Sequence, residues 1–80
     1  MKIPPALIIT YNPTTDFRKH LKFFYEEFEQ IIIVDNGSNL KACNLLEQEA
    51  EDRQSSLKII FNEENLGIAT ALNQGFRWAI

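Results

Sequence analysis

The chain has 80 residues, a formal net charge of −3 and a pI near 5.0, with 45% hydrophobic and 24% charged residues. That balance excludes a general nucleic-acid binder, which needs a basic stripe to neutralise phosphates, but leaves a single nucleotide open as a ligand. A chain this short buries only about 60–65% of its unfolded surface, so it is one small domain or a piece of a larger one. No apolar run reaches the ~20 residues of a membrane span. The start "MKIPPALIIT" is interrupted by Pro4 and Pro5 and makes a poor secretory signal. The single cysteine, Cys43, permits no internal disulfide and suits a reducing compartment. Together these features predict a cytoplasmic protein.

In chain order, "ALIIT" (6–10) reads as a buried strand ended by "YNP". A helix follows, with Phe17, Leu21, Phe24 and Phe28 on one face and Thr14, Thr15 or Asp16 as cap after Pro13. "QIIIVD" (30–35) is the second strand, ended by "NGSN". The second helix carries the stripe Leu40, Cys43, Leu46 and Ala50, with Ser38 or Asn39 as cap; Cys43 is read as packing. "EDRQSS" (51–56) is a polar turn, and "LKIIF" (57–61) is the third strand, ended by "NEENLG". The last helix runs from about Leu66 to the end, with Ala69, Leu72, Phe76 and Ile80 as its stripe, Phe76 and Trp78 in packing, and Gly75 permitting close approach to the sheet.

Near-continuous apolar strands suit a sheet covered on both faces, and the β-α-β-α-β-α order predicts an α/β fold. The expected sheet has three parallel strands in the order 3-2-1, one half of a doubly wound, Rossmann-like fold. The first strand then has an open apolar edge. Residues 1–80 are accordingly expected to be a single incomplete domain, or a chain that forms a homodimer through that edge.

In open α/β sheets, ligands bind beyond the carboxyl ends of the strands. There the sequence places Thr10, Tyr11 and Asn12, then Asp35, Asn36, Gly37 and Ser38, then Asn62, Asn65 and Gly67. Asn, Gly and Ser are also ordinary turn residues. Asp35 stands apart, because a carboxylate at a buried strand end needs a partner. The N3–H of uracil or thymine is one such partner, and cytosine is excluded because its N3 is an acceptor. Asn73 lies close to the apolar stripe of the last helix, so its amide either ties that helix to a loop or supports the ligand site.

Other chemistries fail on the residues. No G-x-G-x-x-G follows the first strand and no G-x-x-x-x-G-K-[ST] loop exists, which argues against dinucleotide and P-loop sites. The lone His20 sits on a charged helix face, so no Ser–His–Asp trio is indicated, and no Cys/His cluster has metal spacing. No residue is assigned a catalytic or metal-ligating role.

"ALIITYNP", "IIIVDNGSN" and "NEENLGIATALNQGFRWA", in this order, resemble the start of family-two glycosyltransferases of the GT-A fold, and most closely bacterial dTDP-rhamnosyltransferases of surface polysaccharide synthesis. The resemblance spans nearly the whole chain. It implies a nucleotide-sugar ligand, dTDP- or UDP-linked, and a single inverting displacement at the sugar. Thr10, Tyr11 and Asn12 would line the base and ribose pocket, and Asp35 would hold the pyrimidine N3–H. Asn36 and Gly37 would shape the adjoining loop. Asn65 and Gly67 would sit near ribose or diphosphate, with Asn73 behind them. Leu72 stands where many relatives carry Arg, so a direct phosphate contact is not implied there. The family's acidic metal motif and catalytic base lie beyond residue 80. A divalent cation, Mg²⁺ or Mn²⁺, is therefore expected in the full-length enzyme, with none in this chain alone, which is expected to be inactive. The competing expectation is a small α/β interaction module that binds a partner strand at its open edge.

Overall fold

The computed structural model describes residues 5–79. Three β-branched runs form the strands β1 (Ala6–Thr10), β2 (Ile31–Asn36) and β3 (Leu57–Asn62), alternating with helices α1 (Asp16–Glu27), α2 (Leu40–Asp52) and α3 (Ile68–Ala79). The strands are parallel in the order β1-β2-β3, the expected 3-2-1 order read from its other edge. β2 is central and all six of its residues are buried, which is why it reads as an unbroken apolar run before its polar end. The register sets Thr10 opposite Asp35, and Asp35 opposite Phe61. The three strands therefore end level, and the loops that follow them meet at one rim.

One sheet face, with Ala6, Ile31, Ile33 and Leu57, packs on Leu21 of α1 and Leu46 of α2. Successive strand residues point to opposite faces, so Leu7, Ile32, Val34 and Asn36 point the other way, toward α3. A Cβ on Gly75 would overlap the Leu7 side chain, so the missing side chain lets α3 lie close to β1, as expected.

The α3 stripe differs from expectation. Its buried residues are Ala71 and Gly75, while Leu72 is 37% and Phe76 58% exposed, and Ala69 is exposed. Ile80 lies outside the described residues. Apolar residues cover about half of this helix, with Thr70, Asn73, Gln74 and Arg77 on the other half, and within the apolar half the small residues face the sheet because they allow the closest approach. Trp78 is likewise not in packing; it is 55% exposed, with the Lys58 ammonium 5.6 Å from its ring.

The other helices match more closely. Leu21 is buried, Phe17 and Phe28 are half-buried, and Phe24 stacks on Phe28 at 6.4 Å. Thr15 is the N-cap residue of α1 but makes no side-chain cap bond. In α2, Asn39 caps through its side-chain oxygen, which accepts from the Ala42 N–H at 2.9 Å. Leu40, expected in the stripe, is 76% exposed, and Ala42 is buried in its place. Glu49 is buried as well, since Arg18 of α1 donates from Nε to Glu49 at 2.6 Å and from Nη2 to Asp52 at 2.7 Å. A charge is tolerated at a buried helix position when paired in this way. Among the described residues no helix is long and apolar enough to cross a membrane.

Candidate functional site

Strand alternation decides what each polar residue at the end of β2 meets. Asp35 points to the same face as Ile31 and Ile33, toward α1 and α2, and is fully buried. Its Oδ1 accepts from the Thr10 hydroxyl at 2.7 Å and from the Ser38 hydroxyl at 2.5 Å. Its Oδ2 accepts from the Ser38 backbone N–H at 3.0 Å, with the Cys43 thiol more loosely placed at 3.9 Å. A carboxylate offers about four lone-pair sites, and four donors of the chain itself face them. The expectation that Asp35 receives a pyrimidine N3–H therefore does not agree with this geometry, because the side chain is turned inward and its acceptor capacity is taken. Burial, followed by the Asp35 charge, pushes the Cys43 thiol pKa up, which agrees with a cysteine in packing.

Asn36 points to the opposite face, toward α3, and is 3% exposed. Its Oδ1 accepts from the Leu66 N–H at 3.0 Å and from Asn62 Nδ2 at 3.2 Å. Its Nδ2 donates to Asn65 Oδ1 at 3.1 Å and to the Gly67 carbonyl at 3.2 Å. The Gly67 N–H turns back onto Asn65 Oδ1 at 2.8 Å, a side-chain turn that Gly67 completes at φ +85°. Asn62 in turn exchanges two bonds with Gln74 of α3, at 2.8 and 2.9 Å.

The first loop joins the Asp35–Ser38 net. Asn12, at φ 50°, donates its N–H to Ser38 Oγ at 2.7 Å and accepts from the Asn39 N–H through Oδ1 at 2.8 Å. Asn is the side chain best suited to that left-handed position. Gly37, at φ +88°, closes the remaining gap: a Cβ there would stand 2.6 Å from the carbonyl carbon of Glu64. The second and third loops thus touch backbone to backbone.

The structure brings these residues to one rim: Thr10, Asn12 and Asp35 share one hydrogen-bond net, Asn36, Asn65 and Gly67 share a second, Gly37 packs between the loops, and Tyr11 lies beside them, 58% exposed. Asn73 does not join: it is exposed on α3, so the buried amide expected there is not found. Two roles escaped the sequence reading. Ser38, read as a turn or cap residue, is the hub between Asp35 and Asn12. Gln74 was not singled out, since nothing local marks a helix glutamine as the partner of an Asn twelve residues earlier. Beside the rim, a cleft of about 270 Å³ opens between Asn12, Thr14, Thr15, Asn39 and Lys41. Among the described residues no three His, Cys, Asp or Glu side chains converge as metal ligands, so these residues do not fit a cation of their own.

Residues 6–80 match the sequence profile of "Glycosyl transferase family 2". No curated protein matches the chain in sequence. Among solved structures, the chain is similar to the mannosyltransferase PcManGT from Pyrobaculum calidifontis in complex with GDP-Man and Mn²⁺, with a TM-score of 0.77 and 21% identity. The match covers 99% of this chain and 27% of that one, so the chain spans about a quarter of its structural neighbour. The likeness shows the fold: three parallel strands and flanking helices arranged as in the N-terminal part of a GT-A glycosyltransferase. With the profile matched from the first residue of β1 onward, the chain belongs to glycosyl transferase family 2.

Proposed function

We propose that residues 1–80 form the nucleotide-sugar-binding part of an inverting glycosyltransferase. The observation that carries this reading is the stitched rim, three βα loops locked together at the carboxyl ends of level parallel strands. Open α/β sheets place ligands there. In this reading Tyr11, Asn12, Gly37, Asn65 and Gly67 line the nucleotide. Thr10, Asp35 and Asn36 hold the loops from beneath. The family and the nucleotide-sugar complex of the structural neighbour support a donor of the same class.

The finer reading is rhamnosyl transfer from dTDP-rhamnose, or a UDP-linked donor, in surface polysaccharide synthesis. It rests on the resemblance of the three motifs. A divalent cation would neutralise the diphosphate leaving group in the whole enzyme, and the structural neighbour contains Mn²⁺.

Ligand-linked stabilisation tests the reading. A nucleoside diphosphate at 100 times its dissociation constant raises the unfolding free energy by about 2.7 kcal/mol. The expected result is a higher Tm with dTDP, UDP or GDP and none with NAD. An unchanged Tm with every nucleoside diphosphate at millimolar concentration overturns it.

A further inference from the structure

We infer that Asn62 and Gln74 are positioning residues, whose paired amides hold the Asn65–Gly67 turn in its ligand-ready shape. This rests on the reading of the rim as a nucleotide site.

The direction of every amide in the network is fixed by three backbone groups. The Leu66 N–H must donate, so Asn36 presents Oδ1 to it. Asn36 Nδ2 then faces the Gly67 carbonyl, which can only accept. The Gly67 N–H likewise requires Asn65 to present Oδ1. Since Asn36 Oδ1 is an acceptor, Asn62 must offer it Nδ2, which leaves Asn62 Oδ1 to accept from Gln74 Nε2. The second N–H of Asn62 goes to Gln74 Oε1. Each amide thus has one orientation that satisfies its neighbours. Gln74 is the outermost member and, among the described residues, the network's only side-chain anchor on α3, so it ties the helix to the end of β3. Through Asn62 and Asn36 it also ties the helix to the turn at the rim. No ligand contact by Gln74 is needed for this role.

The test uses the ¹⁵N-labelled chain with Gln74→Leu, which removes both bonds, and Gln74→Glu, which keeps the acceptor and loses the donor. In Gln74→Leu the Leu66 and Gly67 amides should exchange about tenfold faster than in the wild type, the scale of one or two lost hydrogen bonds. The Ser38 amide, held by Asp35, should keep its rate. Affinity for UDP or GDP should fall by about tenfold. Gln74→Glu should match this loss at about pH 8 and recover toward wild type only as the pH falls to about 4, below the ordinary glutamate pKa of about 4.3, where a protonated carboxyl donates to Asn62 Oδ1 again. The charged residues of the same loop, Glu63 and Glu64, are present in both proteins, so the ratio of variant to wild type at each pH cancels their contribution.

A folded Gln74→Leu chain with unchanged Leu66 and Gly67 exchange, or with unchanged nucleotide affinity, overturns the inference. If Gln74→Leu does not fold, a variant-to-wild-type ratio for Gln74→Glu that is flat with pH overturns it. Failure of the underlying reading looks different: no nucleotide then shifts the wild type, while amide exchange still follows residue 74. That pattern supports the hold on the turn and overturns the site.

Discussion

The Thr10 hydroxyl donates to the Asp35 carboxylate at 2.7 Å across the β1–β2 pair, and both residues are buried. The contact joins the ends of two strands to the Ser38 loop, so Asp35 acts as a strut beneath the rim. Asp35→Asn replaces an acceptor that faces only donors with a group that is half donor. The expected cost is about 2–3 kcal/mol of stability, the range for hydrogen bonds to a charged group. Urea unfolding of the variant measures it. A chain of wild-type stability that loses only nucleotide binding would instead place Asp35 against the ligand.

Gly37 and Gly67 both have positive φ, but their surroundings differ. Gly67→Ala meets nothing within 4 Å, so it should cost only the left-handed backbone penalty, about 1–2 kcal/mol. Gly37→Ala adds a collision with the Glu64 backbone and should cost clearly more, with the second and third loops forced apart. The two denaturation midpoints, compared directly, check the order. Equal losses would contradict the backbone contact.

Tyr25 has a buried hydroxyl with no well-formed hydrogen bond among the described residues, near Glu49 and under the Arg53 guanidinium at 4.2 Å from the ring centroid. Burial, with Glu49 adding to it, pushes its pKa up to about 12. A tyrosine that ionises later in the folded state than in the unfolded one loses its stabilising contribution as pH rises above its ordinary value of about 10. Tyr25→Phe removes an orphaned polar group and should leave stability at neutral pH unchanged or raised by up to about 1 kcal/mol. It should also soften the alkaline fall in stability. Thermal unfolding at neutral and alkaline pH reads both effects, and a clear loss at neutral pH would mean that the hydroxyl has a partner.

Cys43 is predicted to be a sluggish thiol. Its pKa is raised by burial first and by the nearby Asp35 and Glu47 charges next, so the thiolate fraction at mildly alkaline pH falls below that of a free cysteine. Reaction with an aromatic disulfide reagent should be slower in the folded chain than in urea. Asp35→Asn should speed it, provided that the variant is folded.

How much of this was legible depends on which physical signal each feature leaves. The strands were legible because Ile31–Val34 and Ile59–Phe61 are unbroken apolar runs, and the sheet order followed from the alternation of strands and helices. The rim residues were legible because turn-forming types cluster after each strand. The facing of Asp35 was not. A strand buried on both sides has no alternation, so nothing in "IIIVDN" says which side of the sheet residue 35 takes. The buried face of α3 was hidden by residue size. Ala69, Leu72 and Phe76 look like a core stripe, yet Ala71 and Gly75 make the contact because size, rather than hydrophobicity, sets the approach to Leu7. The Asn62–Gln74 pair leaves no local signal at all.

The central claim is that the stitched rim receives a nucleoside diphosphate. Its most direct measurement is an NMR titration of the labelled chain with dTDP, UDP, GDP and, as control, NAD. The account predicts saturable shifts at Tyr11, Asn12, Gly37 and Gly67 with the nucleoside diphosphates and none with NAD. A folded chain whose rim amides stay still through millimolar nucleoside diphosphate, or move equally with NAD, would contradict it.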